Sequence, residues 1–570
     1  MKKRTFWIVV AGVAAVSIGA AGVGLVAFLL RGPGGLSFGG GGSRYLELKL
    51  DGAIPEAPPP TDLGPFADRR PPSLHTLVEA LDRASGDPKI EGVVLRIGLL
   101  EAGWGQAQEL REAIRRYRSA SRKPAIAYLE FATNKEYYLA SACSKIYAAP
   151  TALIYVTGLA AEVTFFRGSL DKLGVEAQFE GFGKYKNAPN QFTESGFTDP
   201  HREQMNALVD SLYAQYVEGL SAGRKKTPDE IRTLLNEGPY DGTEAQKVGL
   251  VDSLVYRDQV EKELKGASRE TPGHYVRGAR KSRFLSRPKI ALVYAVGEIA
   301  SGSSQSGFGG TVAGAETVSQ GIREARDDDS VKAIVLRVDS PGGSGTASET
   351  IWREIELAKR VKPVIASMGD VAASGGYYIA MGSDAIVAEP GTITGSIGVF
   401  SGKFSLRGLY DKLGVSEELV TRGDNADLFS EYRPWSSEER ARIRLLMRNF
   451  YQDFVQRVAE GRKKPKDDVD AIAQGRVWSG AEALKNGLVD RMGGLDAALS
   501  LAKERARVQG GDYDVVILPE GRSFFETFLS RGEEEETKGL PVELEALWTL
   551  GRALADRGPI ARLPFDLKVR

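Results

Sequence analysis

Ala333-Ile334-Val335-Leu336-Arg337-Val338, followed without a break by Asp339-Ser340-Pro341-Gly342-Gly343-Ser344, is the stretch on which the fold turns. Its first six residues are mostly aliphatic and show no polar alternation, so they read as a strand buried on both faces. A glycine-rich turn follows, and then Ala347 to Arg360, where Ile351, Ile355 and Leu357 recur at helical spacing. Val364 to Met368 reads as a second strand, Gly375 to Met381 as a short helix and Ala385 to Ala388 as a third strand, with a long helix at Glu438 to Glu460. Strands alternating with helices predict βαβ units on a parallel sheet, an α/β fold.

The same pattern occurs earlier in the chain. Gly92-Val93-Val94-Leu95-Arg96-Ile97 matches Ala333 to Val338, and Lys123-Pro124 matches Lys362-Pro363. Tyr137-Tyr138-Leu139-Ala140 matches Tyr377 to Ala380, and Asp171-Lys172-Leu173-Gly174-Val175 recurs at Asp411 to Val415. Gly223 to Lys226 recurs at Gly461 to Lys464, and Gly249 to Asp252 at Gly487 to Asp490. The offset stays between 238 and 241 throughout. That period is far too long for a solenoid repeat, so it predicts two copies of one domain, at 45–285 and 286–511.

Two loops of the second copy could carry chemistry: Asp339 to Ser344 after the first strand, and Ala372-Ala373-Ser374-Gly375-Gly376 after the second. Small-residue loops entering helices present backbone N–H groups, which can hold an oxyanion. Between Ala373 and Gly375 the Ser374 hydroxyl is uncrowded. Glycine-rich βα turns are often purely structural, but the first copy lacks both loops: it has Asn134 at the position of Ser374, and Ile97-Gly98-Leu99-Leu100 where the Pro-Gly-Gly would fall.

A serine nucleophile needs a base. The histidines are His75, His201 and His274, none of them near these loops, and His201 after Asp199-Pro200 reads as a surface or cap residue. A lysine desolvated toward neutrality can serve instead. After the shared Asp-Lys-Leu-Gly-Val block the first copy has Gly183-Lys184-Tyr185-Lys186, where the second has Gly423-Asp424-Asn425-Ala426. The first copy thus keeps a lysine and lacks the serine, and the second the reverse, which predicts one site shared between them. Lys186 faces Ala426 in this comparison; Lys184, facing Asp424, is the competing candidate.

Gly183 to Lys186, Ala372 to Tyr378 and Pro390-Gly391-Thr392-Ile393-Thr394-Gly395-Ser396-Ile397-Gly398-Val399 resemble the signal peptide peptidase A (protease IV) family in its long, duplicated form, over about residues 45 to 510. The resemblance implies tandem Clp/crotonase-like domains and a Ser/Lys-dyad peptidase. It implies Ser374 as nucleophile, Lys186 as general base, Gly343 and Gly375 as oxyanion donors, and Ser396 as a hydroxyl orienting the lysine. It also implies peptide substrates such as cleaved signal peptides, no cofactor, and a homo-oligomer closing into a ring, with a tetramer as the expected size. A crotonase-type acyl-CoA enzyme and a non-catalytic assembly scaffold are the competing classes.

Composition fits a membrane-tethered globular body. The 570 residues carry 75 Lys+Arg and 75 Asp+Glu, so no basic excess points to nucleic acid. The single cysteine, Cys143, excludes an intramolecular disulfide, and no HExxH or CxxC pattern points to a metal. Lys2, Lys3 and Arg4 precede an apolar run from Phe6 to Leu30. That run is long enough for a hydrocarbon core of about 30 Å and longer than the apolar region of a cleaved signal. The expectation is a cytoplasmic flank and single transmembrane anchor at 1–30, a Gly-rich linker at 31–44, and a body facing the periplasm or outside. Residues 512–570 form a tail without a recognisable role, and its Glu533 to Glu536 run reads as solvated.

Overall fold

The computed structural model describes residues 44–58, 71–264, 267–281, 287–307, 310–508, 513–520, 560–562 and 568–569. The expected anchor at 1–30, the linker before Arg44 and the glutamate run lie outside the described residues. Among those described, no helix is long and apolar enough to cross a membrane.

Two α/β units stand in tandem. In the first, the strand order is Tyr240–Asp241, Lys145–Ile154, Ala125–Ala132, Ile90–Leu100, Arg44–Gly52 and Ser268–Glu270. In the second it is Val477–Ser479, Ile393–Gly395, Val364–Ala373, Val331–Ser340, Lys289–Val296 and Asp514–Leu518. The central pairings are parallel in both, and the repeat-matched Leu95 and Leu336 sit opposite Ala127 and Ala366. Burial on both faces explains why these strands read as unbroken apolar runs.

Other details repeat between the units. Helices Asp199–Arg224 and Ser437–Arg462 each have 26 residues. Tyr137 donates its hydroxyl proton to the Leu250 carbonyl at 2.7 Å, and Tyr377 to the Leu488 carbonyl at 3.0 Å. Arg224 pairs with Asp252, and Arg462 with Asp490.

Element ends depart from the sequence reading for local reasons. The helix expected at Ala347 begins at Gly345, because the Ser344 hydroxyl caps it by accepting from the Ala347 N–H at 3.3 Å. The strand expected to stop at Met368 runs to Ala373, since Val371 to Ala373 pair with Ile393 to Gly395. That extension carries the strand to the residue before Ser374. Asp514–Leu518, past the expected end of the second copy, pairs in parallel with Lys289 to Val293 as an edge strand of the second sheet.

His201 is not a surface residue. It is fully buried in the first turn of Asp199–Arg224, edge-on to Phe197 at 4.7 Å and to Phe165 at 6.0 Å, and burial pushes its pKa down to about 4. The Asp-Pro start marks the helix end correctly; Phe197 covers that turn from just before it, and Phe165 completes the cover from far back along the chain.

The units are locked together through buried polar contacts. Arg337, 0% exposed, bridges Glu56 at 2.9 Å and Glu109 at 2.8 Å from the first unit. Asp370 accepts from the N–H groups of Gly103 at 2.8 Å and Gln106 at 2.7 Å, capping the first-unit helix Trp104–Ser121 across the interface. A third sheet joins them further: Glu176–Phe182 of the first unit pairs antiparallel with Val399–Ser405 of the second, residue for residue from Val399↔Phe182 to Ser405↔Glu176.

Candidate active site

Ser374 sits at the corner between strand Val364–Ala373 and helix Gly375–Ala380, with φ 57° and ψ −112°. Positive φ is uncommon for a residue with a Cβ and marks a conformation that the surroundings must hold. Its N–H donates to the Gly395 carbonyl and its carbonyl accepts from the Tyr378 N–H, both at 2.8 Å. The side chain is fully buried.

Lys186 arrives from the opposite unit. After Phe182, the interface strand ends in a turn at Gly183 (φ 117°), closed by the Lys186 N–H donating to the Gly183 carbonyl at 3.0 Å. The Tyr185 N–H donates to the Gln474 carbonyl at 2.7 Å, tying this turn to the second unit. Gly475 (φ 76°) lies flat against it: a Cβ there would fall 2.5 Å from the Lys186 nitrogen and 2.6 Å from its Cβ. Gly398 makes similar room for the lysine stem, since a Cβ there would fall 3.2 Å from Lys186 Cδ.

Lys186 Nζ lies 2.7 Å from Ser374 Oγ, 3.0 Å from Ser396 Oγ and 3.2 Å from the Ser396 carbonyl oxygen. Lys186 is only 6% exposed, and burial pushes its pKa well below that of a free lysine. Desolvation is the sole cause, and it favours the neutral amine. Ser396, also at positive φ (49°), is held by its N–H donating to the Arg476 carbonyl at 2.7 Å.

Lys184, two residues earlier, is exposed and turns away, its Nζ 4.9 Å above the Tyr185 ring. Gly343 lies in the strand Gly342–Ser344, opposite Ile299, where a Cβ would fall 2.1 Å from the Ile299 carbonyl oxygen. That strand packs against helix Gly375–Ala380, whose first residue directly follows Ser374.

The matching place in the first unit is filled differently. Asn134 opens helix Asn134–Ala140 as Ser374 precedes its own. Its amide donates to the Gly158 carbonyl at 2.7 Å and accepts from the Tyr216 hydroxyl at 3.1 Å. Gly158 stands where Gly398 stands in the second unit, and Ser374 Oγ reaches the Gly398 carbonyl at 3.5 Å. The Lys186 turn also has its twin: the Ala426 N–H donates to the Gly423 carbonyl at 3.3 Å. Its preceding stretch, however, is unpaired and exposed rather than a strand.

Sequence reasoning missed Gly475, Gly398 and the Arg337 network. Gly398 and Arg337 stand in quoted motifs, but the role of each residue works through a partner far along the chain that no local pattern marks. Among the described residues no group of His, Cys, Asp and Glu could hold a metal.

The chain matches the model of Peptidase family S49 over residues 118–269 and 356–509. It is 37% identical to the chloroplastic serine protease SPPA of Arabidopsis thaliana over 76% of this chain and 66% of that one. It is 32% identical to Protease 4 of Haemophilus influenzae over 83% of this chain and 82% of that one. The solved membrane-bound stomatin-specific protease 1510-N aligns over 41% of this chain and 99% of its own, at 18% identity and TM-score 0.26.

Such a duplicated α/β chain is a serine endopeptidase. It belongs to peptidase family S49, the signal peptide peptidase A and Protease 4 group that its motifs resemble.

Proposed function

We propose that Ser374 is the nucleophile and Lys186 the general base of this endopeptidase, and that its substrates are extended apolar peptides such as signal peptide remnants. The observation that carries the assignment is the 2.7 Å approach of Nζ to Oγ in a site that keeps the amine desolvated. The neutral amine takes the Oγ proton as oxygen attacks the scissile carbonyl. The resulting oxyanion meets the N–H groups of Gly343 and Gly375. Lys186 then returns the proton to the leaving amine, and water, activated by the same lysine, releases the acyl group. Ser396 accepts from Nζ and keeps the lone pair aimed at Ser374.

The wider reading places tandem Clp/crotonase-like units outside the cytoplasm, held at a membrane by Phe6 to Leu30 and assembled with further copies into a ring. The apolar run in the sequence supports the anchor. Leu419 and Val420 support assembly: they lie exposed, Val420 at 85%, along the stretch whose first-unit counterpart is the paired strand Glu176–Phe182.

The test is hydrolysis of a fluorogenic apolar peptide by purified variants. Ser374→Ala and Lys186→Ala each abolish turnover, and the double variant is no worse, because the two groups act as one unit. Lys184→Ala retains activity. Turnover by Ser374→Ala overturns the mechanism, while loss in Lys184→Ala with retention in Lys186→Ala reassigns the base.

A further inference from the structure

The third sheet contains a strand from far outside both units. Its order is Gln305–Gly307, Gly310–Gly314, Glu298–Ala300, Gly342–Ser344, Ile560–Arg562, Val399–Ser405 and Glu176–Phe182. Gly342, Gly343 and Ser344 pair antiparallel with Arg562, Ala561 and Ile560, and Phe400 pairs with Ile560 from the other side. Among the described residues, Ile560–Arg562 alone joins these two flanks in the sheet. Adjacent strands stand about 4.8 Å apart, so flanks roughly 10 Å from each other leave a slot one strand wide.

Both flanks belong to the site. One is the Gly343 strand. The other begins at Val399, directly after Gly398, which touches both Lys186 and Ser374. Any extended peptide filling the slot gains main-chain hydrogen bonds from both sides and lies along the nucleophile.

From this we infer that the segment around Ile560–Arg562 is a built-in occupant of the slot beside Ser374 and competes there with peptide substrates. The inference rests on the reading of Ser374 as the peptidase site. A second pairing supports it independently. Lys568 and Val569 pair antiparallel with Glu162 and Ala161, residues that the 240-residue repeat matches to Gly402 and Ser401 on the flank of the slot. The same short segment therefore docks on equivalent edges of both units. Its sequence suits a short stay: Pro559 and Pro564 bracket Ile560-Ala561-Arg562-Leu563, and proline, lacking an N–H, limits how far the ladder can extend. A tethered occupant acts at an effective concentration of about millimolar, so free peptides compete against it at a disadvantage.

The test uses the full chain carrying Ala561→Pro, which removes a ladder donor at the centre of the occupant. Hydrogen exchange followed by mass spectrometry reads the slot directly, and peptide hydrolysis reads the competition. The expected result is faster exchange across 340–346 and 398–405, with KM for the fluorogenic peptide lowered roughly five-fold or more and kcat unchanged. A synthetic peptide spanning residues 556–566 then inhibits the variant competitively. Unchanged exchange overturns the occupancy, even if the protein proves to have no peptidase activity at all. Faster exchange with an unchanged KM overturns the competition. Because exchange does not depend on turnover, failure of this inference is distinguishable from failure of the Ser374 assignment.

Discussion

Replacing Gly475 by alanine moves the base without touching it. The new methyl carbon would sit 2.5 to 2.7 Å from the nitrogen, Cβ and Cα of Lys186. Comfortable carbon contacts begin near 3.5 Å, so one side must retreat by about 0.8–1 Å. Gly475 is tied by its N–H donating to the Ile397 carbonyl at 2.8 Å, and the lysine turn is tied to Gln474. Either way the 2.7 Å separation of Nζ and Oγ opens to about 3.5 Å, beyond a useful hydrogen bond. A misplacement of about 1 Å at reacting groups is worth roughly 10²-fold, or about 2.7 kcal/mol of transition-state stabilisation. The same substitution also forces alanine into positive φ, at about 1–2 kcal/mol of stability. Gly414→Ala separates the two effects. Gly414 has φ 70° and nothing within 4 Å of its would-be Cβ, so it carries the backbone strain alone. The assay is kcat/KM on the fluorogenic peptide, with thermal melts of both variants alongside. Gly475→Ala should lose about 100-fold in kcat/KM while Gly414→Ala stays near wild type. If the two variants agree within roughly three-fold, the position of Lys186 does not limit the chemistry and the dyad reasoning fails.

Activity should rise with pH on a group titrating well below 10.5, since Lys186 must be neutral to accept a proton; a profile rising only near free-lysine values refutes this. The same depressed pKa makes a stability prediction. Between the folded pKa and 10.5 the unfolded chain binds the extra proton, so stability rises with pH by about 1.4 kcal/mol per unit. Denaturant melts should therefore show Lys186→Met more stable than wild type near neutrality, with the gain vanishing as pH approaches 10.5. Ser396→Ala should lower kcat roughly ten- to hundred-fold with little change in KM, because a hydroxyl that steers the base acts on the reacting state; an effect confined to KM argues against that role. Arg337→Met should destabilise by about 3–5 kcal/mol in denaturant melts, as it strands the buried carboxylates of Glu56 and Glu109; a loss below about 1 kcal/mol would mean that these buried pairs do not hold the units together.

The fold was legible because its strands are buried on both faces and the repeat states each of them twice. The repeat also placed Lys186 opposite Ala426 and Ser374 opposite Asn134, a comparison that no single-copy motif could provide. His201 was misread because Phe165, which covers it together with the neighbouring Phe197, lies far back along the chain and meets it only after folding. The Gly475 cradle and the Asp370 cap across the units stayed hidden for the same reason: each is a contact between distant segments, made by residue types that are ordinary in sequence. The pairing of Ile560–Arg562 had no signal at all, since four residues between prolines carry no periodicity.

The division of the site between the units also governs when the protein can first act. Lys186 and Ser374 lie 188 residues apart in the chain. A ribosome releases the base long before the nucleophile, and the Gln474-Gly475-Arg476 stretch that seats the lysine turn and Ser396 comes later still. An unfinished chain thus first carries a lysine with nothing to deprotonate, and then a serine whose base is not yet seated. A serine endopeptidase so divided is born inert beside other emerging polypeptides and becomes competent only when its second unit has folded onto its first.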